Sequence, residues 1–186
     1  MRAILMGSAA LLCAALVACS HIPVFPPEVK EGVDNNFDFN SWKATPSSST
    51  GRKVKLGGRI LDSQTTSEGV LIIGKQLPIV EHPAYGPTDS QKRPGAFEFA
   101  FLYRGKLDDG ALTQGNRFIV IGTTQGGKAV TVDGATRTAP FLSARCVYIW
   151  RTRGKEIADF ESSGAGYQPL EQGRYCTNDA TAGTPK

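Results

Sequence analysis

The chain has 186 residues, 40% hydrophobic and 20% charged, with 21 Gly, 11 Pro and a formal net charge of +4. That length suits one globular domain plus some loose chain and leaves little room for two. The apolar fraction is too high and the charged fraction too low for a disordered protein, and 4 Cys with 2 His argue against a metal-rich or haem architecture.

The first residues set the compartment. Arg2 supplies a short positive start, and residues 3–18 are apolar or small without one charge. As a helix they would span about 24 Å, short of the ~30 Å hydrocarbon core. With the abrupt end at Leu16-Val17-Ala18-Cys19, residues 1–18 read as a cleaved signal peptide and not as a permanent span. The tetrapeptide resembles the bacterial lipobox, in which small residues admit the peptidase and only Cys has the thiol that carries lipid. Cys19 is therefore the expected lipidation site. The bland alternative is an ordinary secretory signal in which the cysteine falls by chance. One acyl chain binds a bilayer only marginally, whereas two or more hold stably. Ser20, where Asp would favour retention at the inner membrane, implies export to the outer membrane by resemblance to enterobacterial lipoproteins.

Removing residues 1–18 leaves 168 residues, a charge of +3 and, besides Cys19, only Cys146 and Cys176. An oxidising compartment permits a disulfide between these two. Closing a loop of about 30 residues would stabilise the fold by roughly 3 kcal/mol in the chain-entropy picture. The other reading is a buried free Cys146 in a strand and a loose Cys176 near the terminus.

Residues 19–52 read as a lipid-anchored tether, punctuated by Pro23, Pro26, Pro27 and Pro46, with a linker-like run at Thr45–Gly51. As a flexible coil such a segment spans roughly 30 Å. Phe37, Phe39 and Trp42 are too apolar to hang in water, so part of the tether is expected to lie against the fold.

From residue 53 the period becomes two, as in a half-buried strand. Val54, Leu56 and Ile60 alternate with Lys53, Lys55 and Arg59, and Gly57-Gly58 suggests a bulge or barrel bend. Val70–Ile73 is a continuous apolar run, expected to be buried on both faces. Phe97, Phe99, Phe101 and Tyr103 share one face of a strand, and residues 79–95 form a Pro-rich loop. Residues 117–125 and 128–133 flank Gly126-Gly127, read as the spacer of a tight hairpin. Over 144–152, Cys146, Tyr148 and Trp150 face one way, Val147 and Ile149 the other. After Arg153 the pattern fades into a polar tail, 154–186. Six or so strands over 53–153 predict an all-β domain, a small OB-like or related Greek-key barrel.

At this point the chain resembles the Slp family, the starvation-inducible outer-membrane lipoproteins of Gram-negative bacteria. The matching pieces are the lipobox ending at Cys19 with Ile22-Pro23, Lys55-Leu56-Gly57-Gly58-Arg59-Ile60, Leu77-Pro78-Ile79, and Phe101-Leu102 leading to Leu107-Asp108-Asp109. Gly115-Asn116-Arg117, Val120-Ile121-Gly122 with Gly126, Ala139-Pro140 and Ile149-Trp150 continue the match, which covers about residues 16–151. No single piece is specific; their order and spacing are. The resemblance implies an acylated, β-rich envelope protein attached through Cys19, with a structural or stress-related role, periplasm-facing, and it brings no catalytic residue. The 79–95 loop and the segment after Arg153 depart from it.

Catalytic chemistry is poorly supplied. Gly122–Ala129 approaches a phosphate-binding loop but has Ala129 where a Mg²⁺-binding hydroxyl belongs, and a strand follows where a helix should. His82 lies in the Pro-rich loop with no nucleophile elbow. His21 reads as a tether residue, and no close ligand pairs mark a metal site. Asp108-Asp109-Gly110 reads as a turn. No catalytic residue, cofactor, metal or nucleic-acid partner is expected. The alternative to a purely structural role is a module that binds an envelope glycan, lipid or protein. It would use a basic patch (Lys53, Lys55, Arg59 with Arg145, Arg151, Arg153, Lys155), the aromatic strand or the 79–95 loop.

Overall fold

Strand β1, Lys53–Thr66, turns Val54, Leu56 and Ile60 inward and Lys53 and Lys55 outward, as the alternation requires. The computed structural model describes residues 23–80, 85–88, 97–132, 134–156, 159, 162–163, 166–167 and 170–177. A two-residue turn leads into β2 (Gly69–Gln76), followed by β3 (Glu98–Tyr103), β4 (Arg117–Val132) and β5 (Ala135–Trp150). β1 pairs antiparallel with β2 and β4, β2 with β3, and β4 with β5. The parallel pairing of β3 with the middle of β5 closes the ring in the order β1-β2-β3-β5-β4. Closure gives each of β1, β2 and β3 a partner on both sides, which removes the open edges that burden antiparallel sheets there. This is the Greek-key barrel order of the OB type. Two-residue strands β6 (Ser162–Ser163) and β7 (Gly166–Tyr167) pair with each other.

The interior is aromatic. Phe99 and Phe101 from β3 meet Phe118 from β4, with ring centroids 5.9 and 5.0 Å from it. That ring needs room on the facing strands. A Cβ on Gly58 or on Gly74 would lie 2.6 Å from Phe118 Cζ, inside van der Waals contact. Gly58 thus serves a close approach; the register shift in β1 falls later, between Ile60 and Asp62.

The expected hairpin at Gly126-Gly127 is corrected. β4 runs straight through it, and the chain reverses between Val132 and Ala135. Gly126, at φ +97°, sits where the β4–β5 register shifts, so its left-handed backbone makes a bulge within a strand. The long β4–β5 arm then covers the outer surface of β2 and β3, where Val130, Val132 and Ala139 pack on Leu71, Ile73 and Ala100. Ile72 points into the barrel core instead. Both faces of the 70–73 run are buried for this reason.

Part of the tether was expected to lie against the fold, and residues 23–52 do so as α1 (Pro27–Lys30), α2 (Phe39–Ala44) and a 3₁₀ turn at Pro46–Ser49, the last within the run that reads as linker. Asp38 caps α2 by accepting from the Asn40 N–H at 2.9 Å, and Ser41 Oγ donates to the same carboxylate at 2.6 Å. A helix this short has no stability of its own. Trp42 supplies it, fully buried against Phe99 with Phe37 and Phe39 edge-on at 5.5 and 5.9 Å. Thr124, buried on β4, pins the other end. Its hydroxyl donates to Ser49 O and accepts from the Arg52 N–H, while its carbonyl accepts from Gly51 N at 2.8 Å.

The polar tail also contributes a strand. β8 (Gln172–Cys176) pairs antiparallel with the end of β5, and Cys146 faces Cys176 in that register, joined by a disulfide with S–S 2.04 Å. Beneath it, the buried Asn116 amide donates to Gly110 O and Ala111 O and accepts from the Arg153 N–H, knitting the 108–116 loop to the end of β5.

Candidate functional site

The surface an OB barrel commonly offers to ligands is filled by the chain itself. Phe99, Phe101 and Tyr103 face the interior, and the outer side of β2–β3 lies under the β4–β5 arm. The fourth aromatic of that set, Phe97, precedes β3 and is half-buried, with Lys43 Nζ 4.8 Å from its ring centroid.

Two members of the basic patch, Arg59 and Arg151, are taken up in ion pairs. The guanidinium of Arg117, 2% exposed, meets Glu156 at 2.7 Å, and Arg59 reaches the same residue at 3.3 Å. Burial pulls the Arg117 pKa below its ordinary value, and the Glu156 charge opposes that shift. Arg151 bridges Asp108 at 3.3 Å and Glu171 at 2.9 Å. Tyr175 donates to Asp108 at 2.7 Å. Burial raises the Tyr175 pKa, and the acceptor Asp108 adds to the rise. Asp108 therefore ties a loop to β8. Lys53 donates to Glu31 O at 2.6 Å, fastening the N-terminal segment to β1 together with Asp34 N–H to Lys53 O at 2.8 Å.

A concavity lies between the N-terminal segment and the outer side of β1 and β4, with a volume of about 520 Å³. Its lining is mixed: apolar Val24, Val33, Phe37 and Ile79, packed around the buried Phe25 and Ile119, stand beside polar and charged side chains. At its margin is Val80, 37% exposed, the large hydrophobic that stands out among the described residues. Lys30, Lys55 and Asp34 supply its charges. Asp34 is already engaged, by the Arg52 guanidinium and by the Asn36 N–H at 3.0 Å. Lys30 and Lys55 have no ion-pair partner among the described residues. The cleft is therefore amphipathic with a positive margin.

Of the residues singled out in the sequence, Phe37, Lys55 and the first two residues of the 79–95 loop, Ile79 and Val80, line this cleft. Cys19, His21 and His82 lie outside the described residues, as does most of the 79–95 loop. Gly122–Ala129 is strand throughout, which rules out a phosphate-binding loop there. Among the described residues no three His, Cys, Asp or Glu side chains gather to hold a metal, and no helix is long and apolar enough to cross a membrane. Sequence reasoning missed Phe25, Lys30 and Ile119 as neighbours. The one available signal was the apolar pair Val24-Phe25 in a Pro-rich stretch.

The model of the outer membrane lipoprotein Slp family matches residues 16–175. The chain belongs to that family. Slp membership places this protein with the outer-membrane lipoproteins, and the match begins at the lipobox residue Leu16. It also runs past Arg153 into β8, so the segment expected to depart from the Slp pattern lies within the match. No curated protein and no solved structure matches the chain.

Proposed function

We propose that the protein is exported, acylated at Cys19 and held at the outer membrane with its barrel facing the periplasm, serving a structural or stress-related role without chemistry of its own. The lipobox Leu16–Cys19, inside the Slp match, carries this reading. The docked N-terminal segment gives it a geometry. From Cys19 to Pro23, where the described chain begins, is at most about 14 Å of extended backbone. The barrel would therefore rest close to the lipid headgroups and not ride on a ~30 Å leash.

Metabolic labelling with a fatty-acid analogue tests it. The mature polypeptide is expected to carry label and to fractionate with outer membranes, and Cys19→Ser is expected to lose both. Label absent from the mature chain, or an unchanged distribution of Cys19→Ser, overturns the reading.

A further inference from the structure

We propose that the cleft between the N-terminal segment and the outer side of β1–β4 binds an anionic phospholipid of the leaflet in which the protein is anchored. The phosphate meets Lys30 and Lys55, and the upper acyl chain lies against the part-exposed Val24, Val33 and Ile79 and the exposed Val80. The inference rests on the acylated reading above, since the anchor is what brings the cleft to a bilayer.

Three observations carry it. The first is charge. Arg52 neutralises Asp34, the one carboxylate lining the cleft among the described residues, while both lysines are left without an ion-pair partner among them, so the site selects an anion. The second is polarity. Part-exposed valines and an isoleucine beside two lysines are complementary to a lipid, which joins a charged head to a hydrocarbon tail, and about 520 Å³ falls in the ordinary size range for ligand sites. The exposed Val80 lies at the same place, as expected for a residue that meets hydrocarbon. The third is position. Val24 lines the cleft and lies five residues after Cys19, at most about 18 Å along extended chain. The acyl groups on Cys19 itself fit less well, because they carry no charge for the two lysines.

The test uses the full acylated protein in vesicles of phosphatidylethanolamine with or without phosphatidylglycerol. A photo-crosslinking residue replaces Val80, and a control probe replaces Gln64, which is exposed and about 30 Å further along β1. One basic side chain near an anionic surface changes partition roughly five-fold, so two give about 25-fold. The Val80 probe should form adducts with phosphatidylglycerol over phosphatidylethanolamine by about that factor. The Lys30→Ala/Lys55→Ala variant should abolish the preference with unchanged thermal unfolding, both lysines being exposed. Adducts with the chain's own acyl groups, equal adducts from both probes, no lipid adduct, or a preference that survives loss of both lysines would each overturn the proposal. Intact mass of the same sample reads acylation at Cys19 separately, so a missing anchor and an unselective cleft are different results.

Discussion

Replacing Trp42 with alanine removes the side chain that seats α2 in the mouth of the barrel. Burying an indole takes about 200 Å² from water, worth about 5 kcal/mol at ~25 cal/mol per Å². Edge-on contacts with Phe37 and Phe39 add about 0.5–1.5 kcal/mol each. Against this, the indole Nε1–H is buried with no acceptor among the described residues, which costs about 1–3 kcal/mol. The unfolded chain already hides part of its surface, which trims the area term further. The expected net loss is about 3–4 kcal/mol, a large share of the stability of a small domain. Urea unfolding followed by far-ultraviolet circular dichroism measures it without relying on indole fluorescence. Trp42→Phe keeps an aromatic ring and discards the orphaned N–H, so its loss should stay under about 1.5 kcal/mol. A Trp42→Ala loss below about 1 kcal/mol would show that residues 23–52 are dispensable to the barrel and refute the docking argument.

Three further outcomes follow from the packing and the charges. Gly74→Ala should cost about 2 kcal/mol through the clash with Phe118, and adding Phe118→Leu should recover part of that in a double-mutant cycle read by urea unfolding. Cys176→Ser should lower stability by about 2–4 kcal/mol, and reductant should then shift the urea midpoint of wild type but not of the variant. The Ser41 hydroxyl, then the Asn40 N–H, hold the Asp38 carboxyl below its ordinary value of 3.8. A depressed folded value means that its contribution is present above about pH 4 and fades as pH falls through that lower value. Near-ultraviolet circular dichroism should show α2 loosening in this acid range, and Asp38→Asn, which still caps, should lack the step.

The comparison of sequence with structure turns on how far each residue's partner lies along the chain. Alternation grouped Val54, Leu56 and Ile60, then Phe99 and Phe101, on faces that prove interior, and set Val147 and Ile149 opposite Cys146 and Trp150, because strand geometry alone sends every second side chain to one face. Gly126-Gly127 misled because a hairpin turn and a bulge both call for a left-handed glycine, and the identity of the facing residue, Phe141, distinguishes them. The Thr45–Gly51 run looked like linker because its anchor, the buried Thr124 hydroxyl, is more than 70 residues away.

Taken alone, the amino-acid order determined the family, the expected acylation point and the β-barrel class. These depend on adjacent residues or on a period of two, and both survive without knowledge of any distant contact. Tertiary structure decided the rest. It closed the ring through the parallel β3–β5 pairing, spent the β4–β5 arm on covering the usual ligand surface, and folded the N-terminal segment onto β1. The cleft exists only as a result, since Phe25, Lys55, Val80 and Ile119 come from four separate stretches of chain. A site assembled by packing has no local signature, because the free energy that brings its members together is that of the whole barrel.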